Sequence, residues 1–288
     1  LNIVEVPFDP LVMEVDLECF MLVAREVKPK LVVLCMTMPL FPLPLREMSD
    51  TISEWGGRFV FDGAHQLGLI AAGLFQDPLK EGAAVLFGSA GKTFSGPQSG
   101  IIVWDDARLT APITEAIFPV LVATHQVNRV AALAVAAAEF LDYGVPYMRQ
   151  IVRNSKALGR ALEARGIPVV GAKRGYSETH QVIANVKDFG GGMQAAFRLA
   201  QANIITNKNL IPGDNPEDWD RPSGLRIGTI EVTRLGLKEH DMETIADFIY
   251  RVLVEQEEVE SVRRDVSDFR LPKQTIYYCF GNGLPPED

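Results

Sequence analysis

An α/β fold built on a mostly parallel sheet is what this sequence predicts, on three observations. Short apolar runs at 31–35, 58–61 and 84–87 read as buried strands, each bounded by turn residues. Helical patterns lie between them, and such alternation places strands side by side in parallel, with sites at their carboxyl ends. A different pattern begins at Ile167, with short strands, a Gly turn at 190–192 and amphipathic helices, which argues for a second, smaller α+β unit.

The elements follow in order. From Leu17, the positions Phe20, Met21 and Ala24 mark one face of a helix that ends before Pro29, and 31–35 is the first strand. A helix at about 45–55, a strand at 58–61, a short helix at about 67–74 and a strand at 84–87 come next. The apolar run 101–104 follows. The Ala-rich span from about 125 to 141 and the span 146–165 read as two helices separated near Gly144 and Pro146. A helix to about 203 follows the Gly turn, and a final amphipathic helix carries Met242, Ile245, Ala246, Ile249 and Leu253. The boundary is expected near 145–150, giving residues 1–147 and 148–288, and 214–222 is a polar, Pro-containing loop.

Composition narrows the function classes. With 288 residues, 47% hydrophobic and a net charge of −9, the chain can bury a large core and carries no basic footprint for nucleic acid. The most apolar stretch, 130–138, stops at Glu139 and is too short to cross a bilayer, so no membrane partner is expected. Cys19, Cys35 and Cys279 are odd in number and lack a C-x-x-C pair, which argues against a disulfide framework or zinc site and for the cytoplasm. His125, His180 and His240 have no partners at metal-ligand spacing, so no metal is expected. The chain starts at Leu1 with no signal pattern, and a fragment or processed chain is the expectation.

Two strand ends carry the chemistry. The run 58–61 closes on Asp62-Gly-Ala-His65, and 84–87 closes on Gly-Ser89-Ala-Gly-Lys92-Thr. A lysine can form an imine with the aldehyde of pyridoxal phosphate, and a carboxylate facing the pyridine nitrogen keeps that ring protonated and able to accept carbanion charge. Taken singly, Asp62 could be a helix cap and Lys92 a solvated loop charge. His65, three residues after Asp62, is either a core histidine or a contact to the cofactor ring. The segment 88–93 is not a phosphate-binding P-loop, because two residues rather than four separate its glycines and Pro97 follows where a helix should begin. Asp188-Phe-Gly lacks the other kinase segments and reads as a turn. Near a short strand in the second half lie Arg226 and Arg234. A planar guanidinium grips a substrate carboxylate bidentately, and Arg234 is the choice, Arg226 being structural.

At these residues the chain resembles the serine hydroxymethyltransferase family, in particular its archaeal-type branch. Asp62-Gly-Ala-His65 with Gly-Leu-Ile-Ala-Ala-Gly73, then Lys92-Thr-Phe-Ser-Gly96-Pro97-Gln-Ser-Gly100, is similar to that family's cofactor core. Ser177-Glu-Thr-His180-Gln-Val, Asn207-Lys-Asn-Leu210 and Glu231-Val-Thr-Arg234-Leu-Gly-Leu look like its carboxyl-terminal segments. The resemblance implies a fold-type-I pyridoxal-phosphate enzyme, normally a homodimer, that interconverts serine and glycine with a tetrahydrofolate-type pterin. It implies that Lys92 binds the cofactor aldehyde, Asp62 pairs the pyridine nitrogen, His65 lies beside the ring and Arg234 holds the amino-acid carboxylate. Thr37 matches a serine that bonds the phenolic oxygen, and Ser89 matches a hydroxyl residue before the lysine.

The departures are specific. Ala90-Gly91 stands where the family has Thr-His, Cys35-Met36 replaces a Gly-Gly pair of the archaeal-type branch, and the family's first hundred-odd residues, with a phosphate-binding turn, a stacking ring and a catalytic glutamate, have no counterpart here. Two alternatives follow: a folate-independent aldolase or transaldolase on a β-hydroxy amino acid, and a non-catalytic truncated paralogue.

Overall fold

The computed structural model describes residues 1–287. Their contacts form two compact units: Leu1–Asp9, Glu14–Thr37 and Pro42–Val145 in one, and Pro10–Met13, Met38–Phe41 and the chain from Pro146 onward in the other.

The first unit opens with the paired strands β1 (Phe8–Asp9) and β2 (Glu14–Val15). Helix α1 (Leu17–Val27) starts where the Asp16 carboxylate accepts from Cys19 N at 3.0 Å, and stops at Lys28, left-handed at φ 47° and next to Pro29. There follow β3 (Leu31–Cys35), α2 (Leu45–Ser53), β4 (Arg58–Asp62), α3 (Leu67–Ala71), β5 (Val85–Ser89), β6 (Gly100–Val103) and α4 (Thr110–Glu115). The sheet order is β3-β4-β5-β6, with the first three parallel and β6 antiparallel to β5. The expected mostly parallel sheet is present, and β5 runs past the expected 87 to Ser89.

Strand alternation sorts this sheet into two faces. Val32, Leu34, Phe59, Phe61 and Leu86 are buried against Phe20 and Ala24 of α1 and Leu45, Met48 and Ile52 of α2. Leu31, Val33 and Cys35 alternate with them on the other face and are exposed.

Helix α5 (Val127–Ala164) is continuous where two helices were expected. Its residues to Val145 belong to the first unit and those from Pro146 to the second. A proline inside a helix costs about 3 kcal/mol. Tyr147, Met148 and Ile151, just beyond it, are at most 2% exposed, and burying each such side chain at about 1.5–3 kcal/mol outweighs that cost. The continuity also corrects the expectation that no apolar stretch is long enough for a bilayer. By length and composition α5 is long and apolar enough to cross a bilayer, with little of its apolar part buried.

The second unit contains β7 (Gln181–Asn185), α6 (Gly191–Gln201), β8 (Asn207–Asn209), β9 (Gly224–Gly228), α7 (Ile230–Arg234), α8 (Glu239–Leu253) and α9 (Val259–Arg270). Its sheet, β7-β9-β8, is antiparallel. Helix α8 is not the last, as its amphipathic pattern suggested. In α9 only Val262 is buried, while Val259, Val266 and Phe269 pack partly against the same core. Its four apolar positions recur at helical spacing, but they are set among six charged residues and only one of them is fully buried.

Candidate active site

The parallel strands β3, β4 and β5 end along one edge of their sheet, and most of the expected site residues lie there. Asp62 is the last residue of β4, in register with Cys35 on β3 and Phe87 on β5. Its Oδ1 accepts a hydrogen bond from Ala64 N–H at 2.9 Å, and its Oδ2 accepts one from the Cys35 thiol, with Sγ at 3.1 Å. Burial pushes the Cys35 thiol above its usual range, the bond to Asp62 and its charge add to that, and the charge of Lys92 opposes it.

The turn after Asp62 presses directly on β5. Gly63 N–H donates to Phe87 O at 2.8 Å, and a Cβ on Gly88 would lie 3.2 Å from Gly63 O, so glycine at 88 lets the two backbones approach.

Beyond Ser89 the chain loops back to β6, held by Ala90 N to Ser99 O at 2.9 Å, Gly96 N to Ala90 O at 2.7 Å and Ser95 N to Lys92 O at 2.9 Å. Ser95 is left-handed at φ 57°, an uncommon conformation for a residue with a side chain. The ring of Phe94 stacks on Phe140 of α5 at 4.8 Å between centroids. This frame leaves Lys92 half-buried, with Nζ 3.5 Å from Nε2 of His65. Lys92 and His65 therefore meet, and Asp62 joins them through the short turn at 62–65.

Thr93 is a residue that sequence reasoning passed over. Fully buried, its hydroxyl donates to His65 O and accepts from Gly68 N–H, both at 2.9 Å, which fastens the lysine loop to the histidine turn. The signal was a hydroxyl directly after the lysine. Ser89 ends β5 opposite Gly100, half-buried, and Thr37 is exposed two residues beyond β3.

Arg234 belongs to the second unit, at the end of α7. Its guanidinium carbon lies 5.6 Å from the centroid of the Tyr147 ring, and its carbonyl accepts from Tyr277 N–H at 2.8 Å. The Tyr147 hydroxyl donates to Ile230 O at 2.8 Å, and its ring stacks on Tyr278 at 4.7 Å. Burial, with Tyr147 and Glu239 nearby, has pushed Tyr278 up to about 12. Neither tyrosine was singled out from the sequence, because an aromatic pair carries no chemical signature by itself. Arg226 sits within β9, and burial lowers its guanidinium from the usual range.

Among the described residues no cluster of three metal-ligating side chains occurs. The family model for serine hydroxymethyltransferase matches residues 2–249. The chain belongs to the serine hydroxymethyltransferase family. The serine hydroxymethyltransferase of Methanocella arvoryzae is 45% identical over 278 residues, covering 96% of this chain and 66% of the relative. That of Methanopyrus kandleri is also 45% identical, covering 99% and 66%, and that of Pyrococcus horikoshii 45%, covering 98% and 67%. The chain thus spans about two thirds of the length of these relatives. Among solved structures, L-threonine transaldolase from Pseudomonas fluorescens in its internal aldimine state superposes with a TM-score of 0.87 at 28% identity, covering 96% of this chain and 62% of the other. The fold is accordingly that of the fold-type-I pyridoxal-phosphate enzymes, as the motifs of this family led one to expect.

Proposed function

We propose that this chain is the lysine-bearing part of a pyridoxal-phosphate enzyme that moves a hydroxymethyl group between serine and glycine, with a tetrahydrofolate-type pterin as carrier. The observation that carries the reading is the meeting of Lys92 and His65 beside Asp62 at adjacent parallel strand ends. This donor set fits the cofactor: a primary amine for an aldehyde, an imidazole next to that amine, and a carboxylate whose two oxygens are already oriented. When bound, pyridoxal phosphate supplies an electron sink for charge developing on the substrate's α-carbon.

The chain's own residues do the rest. His65, with Nε2 3.5 Å from the Lys92 amine, would lie beside the cofactor ring, and the Lys92 amine would take the cofactor aldehyde. Asp62 would pair the cofactor's ring nitrogen, its negative charge favouring the protonated ring. Thr93 holds the two loops in place. Arg234 takes the carboxylate of a small amino acid, and Thr37 and Ser89 contribute hydroxyls to the cofactor. The reading includes a homodimer and a cytoplasmic location, the latter favoured by three free thiols.

A second reading, a folate-independent aldolase or transaldolase, is favoured by Ala90-Gly91 before the lysine and by the likeness to a threonine transaldolase. Absorbance spectra with pyridoxal phosphate, before and after glycine, test the cofactor reading: a new visible band that glycine shifts is expected, and no band contradicts it. Serine cleavage that needs tetrahydrofolate supports the first reading, and cleavage at the same rate without it supports the second.

A further inference from the structure

We propose that Cys35 is a positioning residue for Asp62, its thiol holding the carboxylate in the orientation that faces the cofactor ring. The inference rests on the cofactor reading of Asp62 and adds a residue to it. Cys35 and Asp62 are register partners on neighbouring parallel strands, and both alternate away from the buried face. Sγ stands 3.1 Å from Oδ2, while Ala64 N–H takes Oδ1 at 2.9 Å. A carboxylate turns easily about its last torsion. One donor fixes one oxygen, whereas donors on different oxygens fix the plane.

The protonated thiol alone can donate, and the surroundings favour that form. The sulfur is partly shielded although the residue is exposed, and that shielding raises the thiol's titration, the hydrogen bond to Asp62 and its charge raise it further, and Lys92 is the charge that opposes them. Cys35 is exposed on the open face of the sheet and is within reach of reagents. A glycine or alanine at 35 would leave Oδ2 without this donor.

The full chain is alkylated with iodoacetamide at pH 8, and Cys35 is followed by peptide mass spectrometry with Cys19 and Cys279 as internal references. In Asp62→Asn the Cys35 rate rises about fivefold or more, because the thiol loses an anionic acceptor, while the reference rates hold. Saturating pyridoxal phosphate slows Cys35 alone. Cys35→Ala weakens cofactor binding about threefold, the effect of one weak hydrogen bond, and Cys35→Ser restores it to within about twofold. An unchanged Cys35 rate in Asp62→Asn, or a serine variant that binds as poorly as the alanine one, overturns the inference even where the cofactor still protects Cys35. Acceleration in Asp62→Asn without protection by the cofactor overturns the cofactor reading of Asp62, and the positioning role falls with it.

Discussion

The two sheets of this molecule are covered very differently. In the second unit β7 is buried at every residue from Gln181 to Ala184, so the chain's own side chains close over both of its faces. In the first unit β3 alternates, with Leu31 and Val33 54% and 48% exposed while Val32 and Leu34 are buried. Parallel sheets are ordinarily covered on both faces. Here one face is open, and Cys35 and Asp62 lie on it. The second unit covers its own sheet, whereas in this chain, which spans about two thirds of its relatives' length, one face of the first unit's sheet is uncovered.

The largest effect that sharpens this contrast belongs to the second unit. Leu225→Ala empties a wholly buried site in β9 and should cost about 2–5 kcal/mol in denaturant unfolding. A loss under 1 kcal/mol would mean that this core is loosely packed. In the first unit the matching effect is chemical. Asp62→Asn should slow α-proton exchange of glycine on the order of 10²-fold, as loss of one preorganised charge does, with cofactor binding still measurable. Unchanged exchange by NMR would remove Asp62 from its role.

How far the sequence revealed this arrangement differs between the units for a physical reason. In the first, strands with β-branched and aromatic residues end on Asp62 and on the loop of Lys92, so strand ends and chemistry could be read together. The Lys92–His65 contact could not, because the approach of the two loops depends on Thr93 and on the fit of Gly63 and Gly88 against neighbours distant in sequence. Pro146 misled for a similar reason: a local helix breaker was overridden by the burial of Tyr147, Met148 and Ile151. Arg234 lies against Tyr147, whose ring stacks on Tyr278, and these two tyrosines are far apart in sequence and meet only in the fold.

A smaller effect probes the arginine. Arg234→Lys keeps the charge but loses the planar fork, and glycine binding should weaken about tenfold, with Arg226→Lys changing it less. Isothermal titration checks this, and a greater loss from Arg226→Lys would exchange the two roles. The smallest effect should come from the open face. Val33→Ser should change unfolding by no more than about 0.5 kcal/mol, yet reduce self-association seen by sedimentation, since it removes exposed apolar surface without touching the core. A destabilisation above about 2 kcal/mol would show that this face is packed after all.

The central claim is that Lys92 is the amine that takes the cofactor, and it can be tested at the level of a single atom. The chain is incubated with pyridoxal phosphate, reduced with borohydride and digested, and the pyridoxyl group is located by peptide mass spectrometry. The label is expected on Lys92, and Lys92→Ala should lose it together with the visible absorbance. A label of equal extent on another lysine, retained in Lys92→Ala, would contradict the account.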